Sequence, residues 1–318
     1  MTIHLTATAA TRVVRKRREV NRLRQKRWRR PTVRSSLLMM LPALLFLGVF
    51  SAYPLEELVR MSLSRVTPGN MLDVSWPFSG GENYRATLND QGFPVVIRNT
   101  LILIVVSVGV TLALGVLAAL ILQRESRFSN GVHGIMIFMW ALPPVVTGSV
   151  WKFLLSSSGP IPEALNSASG IRQYFLADPN LAIWSVTAVV CWVSVAFASL
   201  VMRAGLAQMD PHQIEAATVD GASRLQLFRF LMLPELRPVL LVQGLLTVLY
   251  SFKIFDFPFV ISDGGPGNAS TTLPYLAYKQ SFGSLEFGVG SATAVFAMAV
   301  VIVVAITYLF LAREEDGQ

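Results

Sequence analysis

Six apolar stretches, at about residues 37–55, 101–122, 135–155, 181–202, 239–261 and 289–311, constrain this chain more than any other feature. Each is close to the ~20 residues that a helix needs to cross ~30 Å of hydrocarbon. Backbone polar groups in lipid must be paired within the segment itself, which favours helix over open strand. None of the stretches shows the sustained amphipathic period of a soluble surface helix. The sequence therefore predicts an all-α integral membrane protein with six transmembrane helices. A chain of 318 residues could form two soluble domains, but 53% hydrophobic and 14% charged residues exclude that composition.

Charge is distributed very unevenly. Residues 12–34 hold 12 of the 27 Lys and Arg and one of the 19 acids, Glu19, so the formal charge of +8 belongs to this tail. The tail abuts the first apolar stretch and has few aromatics beyond Trp28. Those features point to an anionic-lipid contact and a topology signal, and away from nucleic acid. A signal-peptide core does not suit the first stretch, because more than thirty residues precede it and its apolar run continues to Leu55. With the N-terminus inside, the inner segments carry 19 Lys and Arg and the outer segments 56–100, 156–180 and 262–288 carry six; Lys152 and Lys253 fall within spans. The expected organisation is a basic cytoplasmic tail at 1–35, a six-helix domain at 36–312 and a short cytoplasmic tail at 313–318. Segment 56–100, rich in Gly, Pro, Asn and Ser, reads as an ordered cap. One cysteine, Cys191, excludes an intrachain disulfide, and His4, His133 and His212 are too scattered for a local metal site.

The loop between the fourth and fifth spans, 203–238, carries the densest local signals. Asp210 can cap a helix, Pro211 fits its first position and Gln213 can complete a capping box. Asp220-Gly221 supplies a turn, Ser223 with Gln226 offers a second capping box, and Pro234 and Pro238 are expected to end the second helix. The result is a short helix-turn-helix. Small Ala216 and Ala217 let its first helix approach another surface closely.

Glu215-Ala216-Ala217, Asp220-Gly221-Ala222, Phe228, Leu231, Leu233-Pro234 and Pro238, with Ala204-Gly205-Leu206 and Pro211 upstream, resemble the EAA loop of binding-protein-dependent ABC importer permeases. After the fifth span, 263–271 resembles the Gly-Gly-Pro segment of the carbohydrate-uptake branch, in the style of maltose and glycerol-3-phosphate permeases. Ser262-Asp263 departs from the family's more frequent Thr-Gly at that point. The likeness runs from about Ser36 to Leu311 and leaves out the basic tail. It implies a multi-pass protein of the bacterial plasma (inner) membrane with both termini cytoplasmic. It also implies a second homologous permease, two cytoplasmic ATPase subunits that use ATP and Mg, and an extracytoplasmic sugar-binding protein. Glu215, Ala216, Ala217, Asp220, Gly221, Ala222, Phe228 and Pro234 take the ATPase-coupling role on this likeness.

No Gly-x-x-x-x-Gly-Lys-Ser/Thr loop is present to hold nucleotide phosphates, and no Gly-x-Ser-x-Gly turn or His-Glu-x-x-His occurs. The chain is expected to bind no cofactor and to catalyse nothing itself. A secondary transporter or channel for a small polar solute is the alternative on six spans alone, and a membrane enzyme a weaker third. In the fifth span, Lys253 and Asp256 could neutralise one another, or Asp256 could share a helical face with Phe252 and Phe259 as a sugar-stacking surface beside an acceptor. Both readings remain open at this level. So do the two readings of Pro143-Pro144 in the third span, as a cavity wall or as a structural kink.

Overall fold

A computed structural model describes residues 33–73, 75–123 and 126–314. Most of the basic tail, its lipid contact and residues 315–318 lie outside the described residues. The chain divides into two compact units, Met1–Glu57 and Leu58–Gln318. Helix α1, Val33–Ser62, begins in the first unit and contains Pro42 and Pro54. The remaining helices are α2 (Glu82–Asn89), α3 (Phe93–Ile121), α4 (Arg127–Ala141), α5 (Pro144–Leu155), α6 (Pro160–Ser169), α7 (Ala182–Leu206), α8 (Pro211–Val219), α9 (Arg224–Lys253), α10 (Leu273–Tyr278) and α11 (Phe287–Glu314). Among the described residues there is no strand, only an isolated antiparallel bridge between Ser64 and Phe78. The protein is all-α, and among the described residues five helices are long and apolar enough to cross a membrane, or six if the bent pair around Pro143 is one span.

That pair replaces the straight crossing expected over 135–155. Leu142 and Pro143 adopt extended backbone, with ψ of 138° and 135°, and Pro144 opens α5. A residue preceding proline is pushed out of the α region, and neither proline can donate to the preceding turn. The chain bends by 103° between Arg127–Ala141 and Pro144–Ser169.

The fifth expected span is also displaced. Pro234 and Pro238 were expected to end a helix, yet α9 runs through both as one 30-residue helix. A π-helical stretch, Leu227–Met232, lies immediately before Leu233-Pro234. Its widened turn relieves the clash between a proline ring and the carbonyl one turn back. The helix then stops at Lys253, short of 261, and Ile254 turns extended at ψ 110°. Pro258 explains the stop: it has no N–H for the Ile254 carbonyl, and its ring would collide with that carbonyl in a continuing helix. A second π turn, Pro258–Ser262, follows.

Helices α3, α7 and α9 form the interior. The buried face of α3 runs through Val96, Thr100, Leu103, Ser107, Thr111, Gly115 and Ala119 at spacings of three and four, while Leu101, Val105, Leu114, Leu117 and Ile121 are exposed. Both faces are largely apolar, so the buried stripe is distinguished by small and hydroxyl side chains. Close packing of small residues drives helix association where lipid supplies no hydrophobic difference. Gly205 of α7 repeats the device: a β-carbon there would lie 2.9 Å from Leu236 of α9. Val116, Ala119, Met202, Leu206 and Leu236 pack together toward the α8 end, and Leu103, Val186, Val190, Ile254 and Phe257 toward the other. Segment 63–81 is tied down by Asn83, which donates to the carbonyls of Ser62 and Ser64 at 2.9 Å, and by a paired Arg65–Glu82 contact.

Candidate functional site

The α7–α9 loop forms the helix-turn-helix read from its sequence. Asp210 accepts from the His212 N–H at 3.0 Å and Pro211 opens α8, though the Gln213 side chain does not complete a capping box. The second box is complete: Ser223 N–H donates to Gln226 Oε1 at 2.8 Å, and Gln226 N–H donates to Ser223 Oγ. Between the two helices, Gly221 sits at φ 84°, a left-handed conformation that costs L side chains about 1–2 kcal/mol. No residue of α8 is buried. Glu215, Ala216, Asp220 and Gly221 are exposed. Ala217, Asp220, Gly221 and Ala222 border a hollow of about 460 Å³ closed on its far side by Leu227, Phe230 and Leu231. Glu215 lies 3.8 Å from His212 Nδ1, an exposed contact of little energetic weight.

One of the expected coupling residues is turned inward: Phe228 packs half-buried against the cluster of Val116, Met202 and Leu236, whereas Pro234 is exposed within α9. Phe230 takes the outward position instead and is 71% exposed, beside Leu225 and an 86% exposed Val219. Residues two apart on a helix point to opposite sides, so one of Phe228 and Phe230 had to face out. Sequence spacing fixes that opposition but not which ring turns inward.

At the other end of α9, the Gly-Gly-Pro loop is clamped to α3. The Asn99 amide group donates to the carbonyls of Asn268 and Ala269 at 3.0 Å and of Thr271 at 3.2 Å. Thr100 Oγ1 accepts from the Leu273 N–H at 2.9 Å. Within the loop, Gly264 sits at φ 74°, and a β-carbon there would strike Thr271 Oγ1 and the Tyr275 ring. The Tyr275 hydroxyl donates to the Asp263 carboxylate. Burial, reinforced by that hydrogen bond, pushes the Tyr275 phenol far above the usual tyrosine range, so it stays a donor.

Between α4, α7 and α9 lies a cavity of about 570 Å³. Trp140 and Phe197 stack at its wall, with ring centroids 5.0 Å apart and planes 19° apart. Gln243, only 2% exposed, donates to Thr247 Oγ1 at 3.3 Å, but its Oε1 and the buried Ser194 Oγ have no hydrogen-bond partner among the described residues. Tyr250 and Lys253 complete the polar lining.

Of the four pathway residues taken from the sequence, Lys253 alone lines this cavity. The shared face of Phe252, Asp256 and Phe259 does not form, because the break at Ile254 takes the last two out of the register of α9. Phe252 packs against the cluster of Phe93, Val96, Leu273 and Leu276. Phe259 joins Tyr275 and Tyr278 in a ring cluster, with centroids 6.0 and 5.8 Å away. No ion pair joins Lys253 to Asp256, so the internal neutralisation also fails. The stacked Trp140–Phe197 platform and the unsatisfied Gln243 were invisible to spacing alone, since they bring three helices together.

Relatives match this chain along most of its length. The trehalose/maltose transport system permease protein MalF of Thermococcus litoralis is 30% identical over 281 residues, covering 87% of this chain and 92% of its own. The sulfoquinovosyl glycerol transport system permease protein SmoG of Agrobacterium fabrum is 28% identical, covering 88% and 91%. The fold matches a chain in the crystal structure of a bacterial ABC transporter that imports the acidic polysaccharide alginate, with a TM-score of 0.72 at 21% identity over 88% of this chain and 96% of that one. Residues 111–314, which contain α4 to α11 and both candidate sites, match the binding-protein-dependent transport system inner membrane component, and the chain belongs to that family.

Proposed function

We propose that this chain is the permease subunit of an ATP-driven importer for a carbohydrate or sugar derivative and forms half of its translocation pathway. The single observation that carries the reading is the exposed α8 helix with its hollow at Ala217, Asp220, Gly221 and Ala222, a surface shaped to receive another protein at the end of two long apolar helices. In this reading the bent α4–α5 pair is one crossing and the chain crosses a bacterial inner membrane six times, with both termini and the 203–238 loop in the cytoplasm. Residues 36–312 act as the permease domain, and the basic tail at 1–35 meets anionic lipid. Glu215, Ala216, Asp220 and Gly221 meet a cytoplasmic ATPase, Ala217 and Ala222 shape the hollow, and Phe228 and Pro234 fix the loop to the membrane helices. The cavity at Trp140, Phe197, Gln243 and Lys253 is the substrate pathway. A second homologous permease, two ATPases that use ATP and Mg, and an extracytoplasmic sugar-binding protein complete the assembly. The chain itself catalyses no reaction. The sugar-linked names of its relatives support the substrate class.

Co-expression with neighbouring permease and ATPase genes tests this reading. All subunits are expected to co-purify and, in vesicles with the binding protein, to take up a labelled sugar on ATP addition. ATP turnover by the pure isolated chain, or purification of the chain without any ATPase, overturns it.

A further inference from the structure

We propose that the cavity between α4, α7 and α9 selects carbohydrates that bear an acidic group, with Lys253 meeting the anion; this rests on the carbohydrate-import reading above. Lys253 is the one residue lining the cavity that carries a formal charge at neutral pH. It is exposed and forms no ion pair or side-chain hydrogen bond among the described residues. It occupies the last position of α9, where the helix carbonyls favour a cation without neutralising it. The nearest acid in sequence, Asp256, follows the break at Ile254 and does not line the cavity.

The rest of the lining suits the neutral part of a sugar. The stacked rings of Trp140 and Phe197 offer an apolar face to a pyranose, and Ser194, Gln243 and Thr247 border the same space. A neutral sugar would fill this space and leave the ammonium without an anionic partner. A carboxylate, sulfonate or phosphate on the sugar supplies that partner in a charge-assisted hydrogen bond.

The test uses the whole transporter in proteoliposomes with its binding protein and a panel of neutral sugars and their uronate- and sulfonate-bearing counterparts. The best-transported sugar is expected to be acidic. Lys253→Gln should lower its uptake about tenfold or more beyond any change in neutral-sugar uptake, and Lys253→Arg should retain it. Comparing variants with one binding protein cancels that protein's own preference. A neutral sugar carried best, or Lys253→Gln lowering neutral and acidic uptake alike together with recovery of the partner permease, overturns the inference and leaves carbohydrate import standing. ATP-coupled uptake of a non-carbohydrate solute, with no sugar carried, overturns both.

Discussion

Gly115 of α3 lies against Ala198 of α7 so closely that a β-carbon on Gly115 would sit 2.8 Å from the Ala198 methyl. Neither atom belongs to a flexible side chain, so a larger residue must separate the two helices. Gly115→Leu is expected to destabilise the pair by roughly 1–3 kcal/mol or more. Gly115→Ala should cost less, and adding Ala198→Gly should recover most of the loss. Thermal unfolding of the detergent-solubilised protein reads this series, and an unchanged transition in Gly115→Leu contradicts the packing.

Asn99 should hold the Gly-Gly-Pro loop. Its amide donates to three loop carbonyls, two of them in buried residues, Ala269 and Thr271. Asn99→Ala strands those acceptors at roughly 1–3 kcal/mol. Asn99→Asp should be worse, because it points a carboxylate at carbonyl oxygens. Hydrogen exchange over 263–272 is the measurement: faster exchange in both variants, with the order Asp over Ala, is expected.

Gly221 gives a ranking set by backbone conformation rather than by space. A β-carbon there meets nothing within 4 Å, yet φ is 84°. Asn, which tolerates the left-handed region, should be mildest; Ala should cost about 1–2 kcal/mol locally, and Val more. ATPase recovery and ATP-coupled uptake should follow the order Asn, Ala, Val. Equal values for all three variants would show that the turn does not need this conformation.

Phe228 and Phe230 should separate stability from partner binding. Phe228→Ala removes a ring packed on Met202 and Leu236, and should lower thermal stability by about 1–3 kcal/mol. Phe230→Ala removes an exposed ring, so it should leave stability within ~0.5 kcal/mol while reducing recovery of the ATPase. Loss of stability in Phe230→Ala with normal ATPase recovery would reverse the assignment of the two faces.

The helices were legible because hydrocarbon-length apolar runs admit few alternatives, and the loop was legible because Asp210, Ser223 and Gly221 act within a few residues of themselves. Helix ends were harder. The stop at Lys253 has a local cause in Pro258, four residues after Ile254, but the largely apolar stretch from Val239 to Ile261 conceals it. The passage of α9 through Pro234 depends on a π turn that no residue type announces. The bend at Pro143 was visible as a break, whereas its angle depends on α5 reaching the turn after α9, where Gly148 lies against Val260 and Phe257. The cavity was least legible, because Trp140, Phe197 and Gln243 come from three helices and meet only after folding.

The unbroken run of α9 from Arg224 to Lys253 has a mechanical consequence. Thirty residues at 1.5 Å each make a rod of about 45 Å, with the α7–α9 loop at one end and the cavity lysine at the other. A tilt of roughly 10° about its cavity end swings the loop end sideways by about 8 Å, and the same tilt about its loop end displaces Lys253 by as much. Beyond Lys253 the extended Ile254 breaks the rod, and the segment that follows is fastened to α3 through Asn99. The joint between this rod and the segment held by Asn99 therefore falls one residue from Lys253 at the cavity wall.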